Sequence, residues 1–127
     1  MYAHFGRTGS APTRAQLAAD LERPVAWVDQ HLERLAGERA LVLGDDGEIA
    51  KALPFCAAPT SFVVRAGGTT YYGNCAWDAF ALAGLLGPSS EIDLRCGDCG
   101  EPLRIDEHTV VHVSVPAAEW WEDIFFT

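Results

Sequence analysis

Residues 73–88 read GNCAWDAFALAGLLGP, an almost continuous apolar run that starts after one glycine and stops at another. Asn74 can cap a helix at its start, and Gly87 followed by Pro88 is typical of a helix end. A helix that is apolar on nearly every face has to be buried against another layer. The neighbouring segments show strand patterns: 61–65 and 69–72 before the helix, turning at Gly67-Gly68, and 91–96, 101–106 and 109–115 after it. The second part of the chain, residues 55–127, is therefore predicted to be an antiparallel sheet packed by one apolar helix.

The first part of the chain, residues 1–54, has two helical patterns followed by a hairpin signal. Thr13 and Gln16 have the spacing of a capping box ahead of a short helix. Pro24 suits the first position of a second, longer helix. The turn sequence 44–47, Gly-Asp-Asp-Gly, lies between two short strand-like runs and predicts a hairpin. Helix, turn, helix and hairpin is the order of a winged helix, so we expect an α+β chain with a winged-helix-like N-terminal lobe.

The negative net charge of the chain bears on which classes of molecule it can bind. The formal net charge is −9, whereas a nucleic-acid surface needs clustered lysine and arginine, so a nucleic-acid partner is not expected. No stretch of 18 apolar residues exists, and the N-terminal MYAHFGRTGS lacks the pattern of a signal peptide. We therefore predict a cytoplasmic protein with no membrane segment. Thiols stay reduced in that compartment, so the four cysteines are interpreted as packing, metal-binding or reactive residues.

Cys75 and Asp78 are the first candidates for chemistry. If Asn74 is the N-cap, Cys75 lies in the first turn, where free N–H groups and the helix dipole favour a thiolate. Asp78 follows three positions later on the same face, and a partly buried carboxyl group beside a thiol can hold or deliver a proton. The structural alternative is a buried packing cysteine and an aspartate that interacts only with the helix dipole.

The sequence around this pair resembles the alkylmercury (organomercurial) lyase family. The resemblance rests on YYGNCAWDAFALAGLLG, then IDLRCGDCGEPL with a further cysteine, then VVHVSVPAAEWWEDIFFT. It implies an activity that cleaves carbon–mercury bonds, with two cysteines that bind Hg(II) and an aspartate that protonates the departing carbon. Carried over, Cys75 is the first mercury-binding cysteine and Asp78 the proton donor. Mercury is then substrate and product metal, and no cofactor is required.

The resemblance also implies a second catalytic cysteine, which follows an aromatic strand resembling WWEDIFFT. The sequence ends at Thr127, about where that cysteine is expected, so no residue takes its role by position. The alternatives are a shortened sequence, a second thiol supplied by Cys56, Cys96 or Cys99, or no second thiol at all.

Cys96 and Cys99 form a C-x-x-C turn flanked by glycines, which is the shape of half a zinc knuckle. A structural zinc site needs four ligands, and His108 and His112 lie about 13 Å apart if their segment is a regular strand. Zinc at Cys96 and Cys99 with two further ligands is one interpretation. A reduced dithiol that binds Hg(II) or Cu(I) is the other. The predicted metal ligands are therefore Cys75, Cys96 and Cys99.

The C-terminal WWEDIFFT is read first as core and sheet packing. As a terminal strand it leaves an apolar edge that can support a homodimer. Two rival functions remain beside an alkylmercury-lyase-like protein that acts on an organomercurial or another soft thiophilic substrate. One is a non-catalytic soft-metal binder, and the other is a winged-helix regulator that senses metal.

Overall fold

The computed structural model describes residues 1–96, 98–103 and 119. The helices of these residues are α1 (Tyr2–Thr8), α2 (Arg14–Leu21), α3 (Val25–Gly37) and α4 (Ala76–Leu86). The strands are β1 (Val42–Leu43), β2 (Ile49–Ala52), β3 (Phe55–Cys56), β4 (Phe62–Ala66), β5 (Thr69–Tyr72) and β6 (Glu91–Leu94). The chain is α+β, as the sequence predicted.

The helices of the N-terminal part begin and end close to the predicted positions. The Thr13 side chain accepts from the backbone N–H of Gln16, and the Gln16 side chain accepts from the N–H of Thr13, which completes the capping box. Pro24 is the residue before α3 rather than its first helical residue. Helix α1 was not predicted, and its apolar anchor is the fully buried Phe5. The predicted order of two helices and a hairpin is present, while the winged-helix interpretation itself stays a prediction.

The strands of the described residues form one antiparallel sheet in the order β1-β2-β3-β5-β4-β6. The predicted hairpin of β4 and β5 is confirmed, with Gly67 and Gly68 at positive φ in its turn. Strand β3 lies in a segment for which the sequence patterns predicted no strand. Because it pairs with β2 on one side and β5 on the other, the sheet is continuous across residues 54 and 55. The division into parts 1–54 and 55–127 stays a prediction.

One buried cluster joins the two parts of the chain. The Phe5 ring stacks on the Phe55 ring at 4.9 Å between centroids, and the Tyr71 hydroxyl donates to the Gly6 carbonyl at 2.8 Å. Helix α1 is thereby fixed to β3 and β5. The rest of the cluster lines α2 to α4 and the sheet, and it contains Leu17, Ala18, Val28, Leu32, Leu41, Ile49, Ala52, Val64, Ala79, Leu82 and Leu94.

Helix α4 packs on β4 and β6 through Ala79 and Leu82, which are fully buried with Val64. The predicted sheet packed by one apolar helix is therefore observed for residues 55–94. The strand predicted at 101–106 is described only for residues 101–103, where Pro102 forms a single antiparallel bridge with Arg95. The strand predicted at 109–115 and the terminal segment 120–127, on which the homodimer prediction rests, lie outside the described residues. None of the helices in the described ranges has the length and apolar character needed to cross a membrane.

Candidate active site

The start of α4 is built around Cys75 and Asp78. Cys75, not Asn74, is the N-cap residue, with extended backbone at φ −146° and ψ −179°. Its sulfur accepts from the backbone N–H of Asp78, and the Asp78 side chain accepts from the N–H of Cys75. The pair forms a capping box in which cysteine takes the place usually held by serine or threonine. The prediction that Asn74 caps the helix is wrong because Asp78 reaches back to the cysteine.

One carboxylate oxygen of Asp78 accepts hydrogen bonds from two backbone N–H groups. Its Oδ2 accepts from the N–H of Asn74 at 3.0 Å and from the N–H of Cys75 at 3.2 Å. The Asn74 side-chain nitrogen is buried and has no hydrogen-bond partner among the described residues. The carboxyl group is therefore fixed relative to the sulfur, because the same two residues define the helix start.

Gly73 lets β5 run directly into this helix start. A Cβ atom on this residue would lie 2.9 Å from the Ala79 nitrogen, 3.0 Å from the Asp78 Cβ and 3.1 Å from the Cys75 carbonyl oxygen. Two of these three contacts are to backbone that cannot move without disturbing α4. Sequence reasoning did not identify Gly73 as part of the site, although its position next to the Cys75 motif was a signal.

The environment of the Cys75 thiol raises its pKa. Burial is the largest cause, and the Asp78 carboxylate adds to it, because both disfavour a thiolate. The backbone N–H groups of Asp78 and Trp77 lower the pKa, but by less than burial and the carboxylate raise it. The sequence favoured a thiolate on the strength of the helix dipole alone, and that prediction is wrong.

Burial also raises the pKa of Asp78. Hydrogen bonds from the Cys75 thiol and from the N–H groups of Asn74 and Cys75 oppose this rise, as does the positive charge of Lys51. Lys51 is the sole lysine of the chain and lies opposite Cys56 in the β2–β3 pair. It was not among the predicted site residues, since nothing in the sequence shows that β2 lies near α4. The carboxyl group thus binds a proton more readily than a free aspartate, as the prediction of a proton donor requires.

Cys96 and Cys99 are brought together in a turn that follows β6. The backbone N–H groups of Cys99 and Asp98 donate to the Cys96 sulfur, and the Cys99 thiol contacts it as well; these hydrogen bonds lower the pKa of Cys96. The turn is closed by bonds from the Gly100 nitrogen to the Cys96 carbonyl and from the Cys96 nitrogen to the Glu101 carbonyl, both 2.9 Å. Gly100 adopts a positive φ of 72°. All four cysteines are unpaired thiols.

Zinc at this turn stays a prediction. Within residues 1–96, 98–103 and 119, no three His, Cys, Asp or Glu side chains cluster closely enough to hold a metal ion. His108 and His112 lie outside the described residues. Cys56, the remaining thiol, is buried on β3.

A shallow cleft open to solvent lies elsewhere, in the N-terminal part of the chain. Arg14 contributes to its wall and makes ion pairs with Glu48 at 3.2 Å and Asp29 at 3.4 Å. These ion pairs connect α2, α3 and the β1–β2 hairpin. We interpret the cleft as a consequence of this structural network and assign it no chemistry.

Comparison with known proteins identifies the family. The family model described as alkylmercury lyase (MerB) matches residues 55–125, more than half of the chain. The chain belongs to the alkylmercury lyase family. Every candidate residue of the alkylmercury lyase site, from Cys75 and Asp78 to Cys96 and Cys99, lies within the matched range.

The solved structures agree with this assignment. The chain is similar to the crystal structure of the mercury-bound form of MerB2, with 28% identity and a TM-score of 0.61. The match covers 78% of this chain and 48% of that one, so the chain spans about half the length of this relative. No curated protein matches the chain. Since the structural match is longer than the family-model match, the fold likeness extends beyond residues 55–125.

Proposed function

We propose that this protein cleaves the carbon–mercury bond of organomercurials, with Cys75 as the mercury-binding nucleophile and Asp78 as the proton donor. One observation carries the proposal: the capping box holds a thiol and a carboxyl group in contact at a half-buried helix start. Sulfur is a soft ligand that suits a soft metal. A carbon leaving group with carbanion character needs an acid beside it when the bond breaks. Cys75 and Asp78 supply both requirements at one place.

The proposed reaction moves one proton from sulfur to carbon. In the first step the Cys75 sulfur bonds to mercury, and the thiol proton passes to the Asp78 carboxylate. In the second step the Asp78 proton is transferred to the carbon as the carbon–mercury bond breaks, so that its electron pair forms the new C–H bond. The products are a hydrocarbon and mercury bound to Cys75 and to the ligand with which it arrived. Neither oxidation nor reduction occurs, and mercury enters as substrate, so the step needs no resident cofactor.

The surroundings of the pair suit this proton path. Burial raises the pKa of both groups, and this favours keeping the proton on the pair over losing it to water. The N–H groups of Asn74 and Cys75 hold Oδ2, and this fixes the carboxyl group in the orientation from which it delivers the proton. Lys51 adds a positive charge that stabilises the carboxylate after the proton has left.

The proposal predicts hydrocarbon release that depends on Cys75. Purified protein is incubated with phenylmercury and an excess of a small thiol, and benzene is measured. We expect benzene from the unchanged protein and from Asp20→Asn, a control that changes an exposed side chain of α2, and background benzene from Cys75→Ser. Benzene formed by Cys75→Ser at the unchanged rate would contradict the proposal.

A further inference from the structure

The C-x-x-C turn lies at the same end of the sheet as the proposed active site. Strand β4 lies between β5 and β6, and both neighbours run antiparallel to it. The Gly73 nitrogen donates to the Phe62 carbonyl at 2.8 Å, and the Arg95 nitrogen donates to the Ser61 carbonyl at 3.0 Å. After β5 and after β6 the chain therefore leaves the sheet next to Ser61 and Phe62, and these two exits lie on opposite sides of β4. Since adjacent strands are about 4.8 Å apart, the two exits are separated by roughly 10 Å.

Each of the two segments that leave the sheet here reaches a cysteine within two residues. Cys75 follows two residues after Gly73, and Cys96 is the residue after Arg95. The register explains this arrangement, because Phe62 pairs with Leu94 on the β6 side while Gly73 bonds to Phe62 on the β5 side. Cys75, Cys96 and Cys99 therefore follow strands that leave the sheet at one end, while Cys56 pairs with Tyr72 near the same end but is buried in β3.

The turn holds the sulfurs of Cys96 and Cys99 in contact, so that both can bind the same ion. The N–H groups of Asp98 and Cys99 point at the Cys96 sulfur, and the Cys99 thiol contacts that sulfur. Backbone bonds close the turn on both sides of the pair, and the Arg95 side chain donates to the Gly100 carbonyl at 3.3 Å. Cys99 is exposed and Cys96 partly so, and a ligand can reach them from solvent. Two sulfurs held in one short turn bind a soft ion as a chelate, since the second bond forms at a high effective concentration.

We propose that Cys96 and Cys99 form an acceptor site that takes Hg(II) from Cys75 and holds it between two thiolates. The transfer to this acceptor site rests on the proposed function, whereas the binding of Hg(II) by the pair does not. During transfer, bonds from mercury to the sulfurs of Cys96 and Cys99 form, and its bonds to Cys75 and to the accompanying small thiolate break. The two protons released by the acceptor thiols go to Cys75 and to the small thiol. The oxidation state of mercury and sulfur is unchanged, and Cys75 returns to its starting form.

Binding is tested with inorganic mercury on variants of the full chain that lack Cys75. The Cys75→Ser variant is incubated with mercuric chloride and a competing monothiol and then desalted, after which bound mercury and free thiols are counted. We expect one mercury per chain and the loss of two free thiols. The Cys75→Ser/Cys99→Ser variant should bind at least about 100-fold more weakly, because the chelate is lost. The matched control Cys75→Ser/Cys56→Ala should bind like Cys75→Ser.

Equal mercury retention with and without Cys99 would overturn the acceptor site, as would zinc held by Cys96 and Cys99 in the protein as purified. Because Cys75→Ser has no lyase nucleophile, these results do not depend on the lyase proposal. The transfer itself is tested by multiple-turnover benzene release at a low concentration of small thiol. Cys99→Ser should then slow steady-state turnover while the first turnover keeps its rate. An unchanged steady-state rate in Cys99→Ser would refute transfer even if binding is confirmed.

Discussion

The Asp78 carboxylate oxygen lies 3.2 Å from the backbone nitrogen of Cys75, and the sulfur of Cys75 accepts from the backbone nitrogen of Asp78. The two residues thus stabilise the start of α4 and also place a thiol beside a carboxyl group. Asparagine at position 78 can still accept the two backbone hydrogen bonds but cannot donate the proton. Replacement of Asp78 by asparagine therefore separates the structural role from the chemical one.

The pH dependence of Cys75 reactivity should report the neighbouring charge. Thiolate is the reactive form, and burial together with the Asp78 carboxylate raises the Cys75 pKa. Alkylation of Cys75 by iodoacetamide, followed by peptide mass mapping against pH, should therefore have its midpoint above that of an ordinary thiol. In Asp78→Asn the midpoint should move to lower pH, because the carboxylate charge that opposes the thiolate is gone.

Asp20→Asn is the charge-matched control for this titration. Asp20 is exposed on α2, so its replacement removes one negative charge without changing the α4 start. Its alkylation profile should coincide with that of the unchanged protein. A midpoint that stays in place in Asp78→Asn would show that the two groups do not interact.

Gly73→Ala should destabilise the protein. The added Cβ meets the Ala79 nitrogen at 2.9 Å, and the strain of fitting one methyl group into such a packed position is about 1–3 kcal/mol. Urea unfolding followed by circular dichroism measures the loss. Gly84→Ala is the matched control, because Gly84 is an exposed residue of α4 with open space around it and alanine should add up to about 1 kcal/mol of stability there. Equal stability of the two variants would contradict the close packing at Gly73.

The capping box of α2 makes a separate prediction about stability. Thr13→Ala removes the hydroxyl that accepts from the Gln16 N–H at 3.1 Å, and the free energy of unfolding should fall by about 1 kcal/mol. Thr13→Ser keeps the acceptor and should stay close to the unchanged protein. The two variants are compared by the same urea unfolding. A Thr13→Ser variant as unstable as Thr13→Ala would indicate that the threonine methyl group, rather than the cap, is responsible.

Local patterns predicted the helices and hairpins well because their signals lie within a few residues. Thr13 with Gln16 and the turn at Gly67-Gly68 define their elements through short-range bonds, and both were confirmed. Helix α1 was missed because its seven residues are held by Phe5 stacking on Phe55, a contact 50 positions away in the sequence. Strand β3 was missed for the same kind of reason: its two residues become a strand only through pairing with β2 and β5.

At the site, sequence spacing predicted that Cys75 and Asp78 meet, but not how their environment acts on them. The helix dipole alone favours a thiolate, whereas the structure shows that burial and the Asp78 charge prevail and raise the pKa of Cys75. Burial depends on tertiary packing, which spacing does not reveal. The nearness of the Cys96 turn to the Cys75 helix start likewise follows from the β5-β4-β6 order, which no local pattern specifies.

A single-turnover reaction of Asp78→Asn with phenylmercury tests the central claim most directly, because it separates mercury binding from protonation of the carbon. One equivalent of phenylmercury is mixed with the unchanged protein or with Asp78→Asn, benzene is measured over time, and the adduct on Cys75 is identified by intact and peptide mass. We expect Asp78→Asn to hold phenylmercury on Cys75 and to release benzene about 10²- to 10⁴-fold more slowly, the usual contribution of a general acid. Benzene released by Asp78→Asn at the unchanged rate would contradict the claim that Asp78 delivers the proton.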